Sequence, residues 1–132
     1  MLKLTAIYAA ILTFVFVKLT LNVITLRKQN DIAFGDGDRL DLQQAIRSHR
    51  NFAEYVPLGL ILLGCLEANG VHWIIVMPLG GLFTAGCLYH AKALLEEIPN
   101  IEQRAKGMKY TLWSLLALAA TNLIFIVIQK IF

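Results

Sequence analysis

The chain has 132 residues, a formal net charge of +3, 58% hydrophobic and only 16% charged residues, and a mean hydropathy of +0.64. Soluble domains are roughly 45–50% apolar and about 25% charged, and a body this small has too much surface to hide such an excess in a core. A water-soluble globule, a disordered chain and a basic nucleic-acid binder are therefore excluded, and lipid is left as the solvent.

A membrane crossing needs about 20 mostly apolar residues. Leu4 to Leu26 supplies the first, broken only by Lys18, Asn22 and scattered threonines. The second is shorter: the clean apolar run Tyr55 to Leu66 must be extended to about 52–68 to cross, which places Glu54 at or just inside the membrane face. Charge there is expensive and commonly functional. Val71 to Ala91 and Tyr110 to Gln129 contain no Asp, Glu, Lys or Arg and complete a single membrane domain of four spans, 4–26, 52–68, 71–91 and 110–129. The predicted class is an all-α integral membrane bundle of four transmembrane helices.

Local signals refine the picture. Gly35-Asp36-Gly37-Asp38 is turn chemistry, with Asp38 as N-cap and Asp41 as acidic N3 of the next helix. Asn69-Gly70 closes a tight hairpin, and Pro57 and Pro78 fall inside spans. Gly81 and Ala85, beside Gly80 and Gly86, form a small-residue face for close helix packing. Trp73, Tyr110 and Trp113 read as interfacial anchors. Cys65 and Cys87, each in an apolar run, read as small buried hydrophobes, and His49, His72 and His90 lack metal-ligand spacing.

At 100° per residue, Arg47, Asn51 and Glu54 fall within about 60° of one another, and Leu58, Ile61 and Cys65 continue the stripe. One face thus passes from cation to amide to carboxylate to hydrocarbon with depth. Either Arg47 and Glu54 satisfy one another, or the stripe holds a small zwitterion, with arginines on its carboxylates, Asn51 on an amide and Glu54 on an ammonium.

Arg47-Ser48-His49-Arg50-Asn51-Phe52-Ala53-Glu54-Tyr55-Val56-Pro57 resembles the R-x-x-x-N-x-x-E-x-x-P signature of the MAPEG family, the membrane-associated proteins of eicosanoid and glutathione metabolism. Asn22 to Lys28 resembles the basic end of that family's first helix, and Arg104-Ala105-Lys106-Gly107 the opening of its fourth. The resemblance extends over essentially the whole chain and is to a bacterial microsomal-type glutathione transferase. It implies a homotrimer in the inner (plasma) membrane with glutathione as co-substrate, bound between subunits near the cytoplasmic face. By it, Arg47, Asn51, Glu54, Tyr55 and His90 would hold glutathione, Arg27 would add charge, and Arg104 would stabilise the thiolate as the catalytic residue. No metal is implied. The chain departs from the family pattern at Cys87, where many relatives carry Arg, and in the acidic segment Glu96-Glu97.

Three functions compete. An enzyme would conjugate glutathione to a lipophilic electrophile, or reduce a lipid hydroperoxide. A non-catalytic lipid- or glutathione-binding protein of the same family would bind only. A small four-span exporter would use its membrane carboxylate alone, whereas Glu54 follows Arg47, Arg50 and Asn51. Retention of Arg47, Asn51, Glu54 and Arg104 together favours the enzyme.

Arg27, Lys28, Arg39, Arg47 and Arg50 lie between the first two spans, and Lys92, Arg104, Lys106 and Lys109 between the last two. Both segments should therefore face the cytoplasm, with both termini periplasmic. A periplasm-dependent reporter fused after Phe132 should be active and one fused near Asp36 silent; the reverse pattern would invert the topology.

Overall fold

The computed structural model describes residues 1–95 and 100–131. Four helices account for most of them: α1 (Lys3–Gln29), α2 (Leu40–Ala68), α3 (Trp73–Leu95) and α4 (Ile101–Ile131). Each is long and apolar enough to cross a membrane. At 1.5 Å per residue α2 and α4 are each about 45 Å long, well beyond a hydrocarbon core of about 30 Å. The helices therefore outrun the apolar runs chiefly at the basic end, where α2 starts twelve residues before position 52 and α4 nine before Tyr110. Those extra turns carry Arg47, Arg50 and Arg104.

Helix α1 lies against α2 and α3, and α4 against α2 and α3; among the described residues α1 and α4 do not meet. The shared core runs through Leu12, Leu19, Phe52, Leu63, Leu66, Val76, Phe83 and Leu118. Much large apolar surface, including Phe14, Ile61, Trp113 and Leu123, stays exposed, as expected where lipid rather than water surrounds the protein. Trp73, Tyr110 and Trp113 are exposed, which suits interfacial anchoring. Cys87 is buried, but Cys65 is exposed on α2, contrary to the expectation of two buried thiols.

The small-residue face works differently from its sequence reading. Gly86 meets the backbone of Thr111, where a Cβ would lie 2.9 Å from the amide nitrogen, and Gly80 faces the Tyr8 ring. Gly81 has only a loose neighbour at 3.6 Å and Ala85 is exposed. Spacing alone did not say which two of the four small residues turn inward.

The α1–α2 link is tied by side chains. The Arg27 guanidinium donates to the carbonyls of Ala33 at 3.1 Å and Ile32 at 3.5 Å. Asp36, rather than Asp38, organises the turn before α2: its carboxylate accepts from the Asp38 amide at 3.1 Å and from the Gln43 side chain at 2.9 Å. The Gln43 hydrogen bond, followed by the Asp38 amide, holds the Asp36 carboxyl below its ordinary range. Asp38 itself adopts a left-handed φ of 56°, and the cap position belongs to Arg39, with no side-chain cap. Asp41 instead pairs with Arg39 at 2.9 Å. At the opposite end Asn69 caps α2 and Gly70, with φ of 82°, turns the chain toward α3 as expected.

That end is locked by Glu67. Its carboxylate accepts from the amides of Leu4 at 2.9 Å and Thr5 at 2.8 Å, and from the Thr5 hydroxyl at 2.8 Å. The first amides of a helix have no intrahelical acceptor, and a carboxylate there also meets the positive end of the helix dipole. Glu67→Ala should lower the stability by about 1–3 kcal/mol, the usual worth of hydrogen bonds to a charged group, read as a lower Tm in detergent. An unchanged Tm would mean that water caps α1 equally well.

Candidate functional site at the basic end of the bundle

The candidate residues come from all four helices, and the bundle treats them unequally. The Arg47–Asn51–Glu54 stripe splits. Arg47 and Glu54 remain exposed on α2, whereas Asn51 turns toward α3 and is half-buried. Glu54 does not pair with Arg47; it contacts Arg50, four residues earlier, at 3.5 Å, with both side chains more than half exposed. An open pair of that kind contributes little on its own. Tyr55 is half-buried and lines a small internal cavity with Ser48, Asn51, Cys87, His90, Met108 and Thr111.

His90 is the junction. Its Nδ1 lies 3.1 Å from the backbone carbonyl of Arg104, and its Nε2 lies 2.8 Å from Nδ2 of Asn51. A carbonyl can only accept, so Nδ1 carries the proton and Nε2 accepts from the Asn51 amide. The ring is 7% exposed, and both its nitrogens are engaged inside the chain. His90 therefore joins α2, α3 and α4 and fixes the first turns of α4. It does not present a free nitrogen outward as a direct ligand would.

Close approach of α3 to α4 is a condition of that junction. A Cβ at Gly107 would stand 2.6 Å from the His90 amide nitrogen and 2.7 Å from its Cα, so only glycine fits without displacing backbone. Three residues earlier, the half-buried Arg104 lines an open cavity of about 270 Å³ with His90, Ile101, Ala105 and Met108. Tyr89 points elsewhere, edge-on to Tyr110 with ring centroids 6.4 Å apart, in the groove on the other side of the α3–α4 pair. Cys87 faces the internal cavity. The Glu96–Asn100 carboxylate reading falls on residues 96–99, outside the described residues. Arg27, half-buried at the end of α1, turns one guanidinium nitrogen, Nη1, to the carbonyls of its own loop.

Sequence reasoning passed over Ser48. It is 1% exposed, lines the internal cavity, and its Oγ has no partner among the described residues. Its orientation toward the cavity, shared with Cys87 and His90 of α3, depends on packing rather than on spacing.

Comparison with known proteins supplies the context. The MAPEG family model matches residues 5–124. The chain is 34% identical over 119 residues to the inner membrane protein YecN of Escherichia coli K12, covering 90% of this chain and 89% of that protein, and equally similar to YecN of Escherichia coli O6:H1.

The Gly107 contact yields a direct expectation. Gly107→Ala should push α4 off α3 and cost about 1–3 kcal/mol, as overpacking does, seen as a lower Tm with a weakened Asn51–His90–Arg104 junction. An unaltered Tm would show that the α3–α4 contact relaxes freely. With the buried junction and the glycine it requires in place at the opening of the fourth helix, the fold, the R-x-x-x-N-x-x-E-x-x-P segment and the matched length agree: this chain is a four-helix membrane protein of the MAPEG family.

Proposed function

We propose that the protein is a glutathione-dependent inner-membrane enzyme, assembled as a homotrimer with its site at the cytoplasmic face, that conjugates glutathione to lipophilic electrophiles from the bilayer. Reduction of lipid hydroperoxides is the nearest related activity. The observation that carries the reading is the Asn51–His90–Arg104 junction, which joins an amide on α2 to the opening turn of α4 beside an accessible cavity. The inner-membrane assignment draws on the YecN relatives.

Glutathione offers two carboxylates, an ammonium, two amides and a thiol. Arg47 and Arg27 supply cations for the carboxylates, Glu54 an acceptor for the ammonium, and Asn51 and Tyr55 hydrogen-bonding groups. Asn51 Nδ2 donates to His90, so its Oδ1 remains available as an acceptor. His90 acts as a positioning residue, orienting Asn51 and the backbone of Arg104.

Arg104 is the proposed catalytic residue. Its guanidinium stays cationic at working pH and cannot take a proton, so its part is electrostatic. A fixed cation beside the sulfur favours the thiolate, the nucleophilic form, and the thiol proton leaves to solvent. The thiolate sulfur then bonds to the electrophilic carbon while the leaving group departs with its electron pair. Positioning the two reactants beside one another supplies the rest.

The decisive experiment titrates the thiolate absorbance of bound glutathione in wild type and Arg104→Ala, alongside turnover with a model electrophile. The variant should shift the titration toward the free-thiol value, near 8.5, and slow turnover on the order of 10²-fold, while binding weakens less. An unshifted titration would remove Arg104 from the role. A wild type that binds glutathione without ionising it would indicate a binding protein.

A further inference from the structure

Lys18 lies nine residues, about 13 Å, from Arg27 toward the middle of α1. It is exposed and makes no salt bridge among the described residues. It shares its face with Ile11, Phe14, Leu21 and Thr25, all exposed, about a third of a turn from the buried Leu12–Leu19 seam. The second charge at membrane depth is Glu54, held among the described residues by the open 3.5 Å contact to Arg50 through Oε1, on an α2 face continued by the exposed Leu58, Ile61 and Cys65. Neither charge belongs in hydrocarbon without a partner.

Their depths correspond. Helices α1 and α2 run antiparallel, and their register is set by Thr20 against His49 at 3.1 Å and by the Phe16 and Phe52 rings, 6.5 Å apart. That register puts Lys18 level with Arg50 and Asn51, and Glu54 level with Phe14 and Val15, a difference of about 5 Å. Helical side chains lean toward the N-terminus of their own helix. Lys18 and Glu54 therefore lean toward one another and meet between the two levels. The same lean carries Lys18 away from the headgroups at the basic end, against simple snorkelling.

We propose that Lys18 of one copy is the counter-ion of Glu54 in the next, so that the exposed α1 face covers the open α2 stripe and completes the site from outside the protomer. This rests on the homo-oligomeric reading above and names the contact that builds it. The interface is head-to-tail, joining two different faces, and such interfaces close into rings when the rotation permits. A carboxylate has about four lone-pair sites on its two oxygens, which leaves Glu54 acceptor capacity for a ligand amine beside Arg50 and Lys18.

The test places Lys18→Cys and Glu54→Cys on separate, differently tagged copies, both also carrying Cys65→Ser. The copies are co-expressed and treated in membranes with a short bis-methanethiosulfonate, since a direct disulfide demands closer Cα atoms than an ion pair does. A reductant-sensitive band containing both tags is expected, with neither single variant alone giving one. In parallel, Lys18→Glu and Glu54→Lys should each shift wild-type oligomer toward monomer on native mass spectrometry, and the combined reversal should restore it. Absence of the mixed band in an intact oligomer, or an uncorrected double reversal, would overturn the pairing while leaving the oligomer. A monomeric wild type would overturn both, and glutathione binding to the wild type, measured separately, tests the functional reading by itself.

Discussion

Hydrocarbon offers no hydrogen bonds, and that constraint governs the molecule. Backbone groups must be satisfied within each segment, which dictates four helices. Helix ends must find partners nearby, which gives Glu67 its work on the first amides of α1. Polar side chains at membrane depth turn inward, as Asn51 and His90 do, or pair along their own helix, as Glu54 does with Arg50.

The bundle consequently has two unlike ends. At the Asn69–Gly70 turn it is closed by one short connection, residues 69–72, and by the Glu67 cap. At the basic end the helices overrun the hydrocarbon, and their extra turns bear the arginines. There three helices meet through one imidazole whose two nitrogens are both occupied. That arrangement holds the start of α4 rigidly while leaving the Arg104 side chain beside an open cavity. A rigid backbone carrying a charged side chain on accessible surface suits electrostatic stabilisation, which requires pre-set rather than adaptable charge.

Glycine at 107 belongs to the same logic. The His90 junction requires the backbones of α3 and α4 to approach within the reach of a single hydrogen bond, and any side chain at 107 would enter the His90 backbone. The R-x-x-G spacing thus links a charged residue facing a cavity to the packing contact that positions it.

From the sequence alone came the lipid environment, the four helices, their order, both prolines within them and the basic character of one end. All follow from composition and from runs long enough to cross a bilayer, which are local properties of the chain. The family signature was also legible, because its residues are close together on one helix. Partner choice was not. Periodicity placed Arg47, Asn51 and Glu54 on one face, but a 60° arc is wide enough for packing to divide it, burying Asn51 and leaving the other two exposed. The Asn51–His90 bond spans 39 residues and the His90–Arg104 bond 14. Glu67 reaches across 62 and 63 to α1. Such contacts depend on how the helices rotate about their axes, and rotation is decided by side-chain packing over the whole bundle.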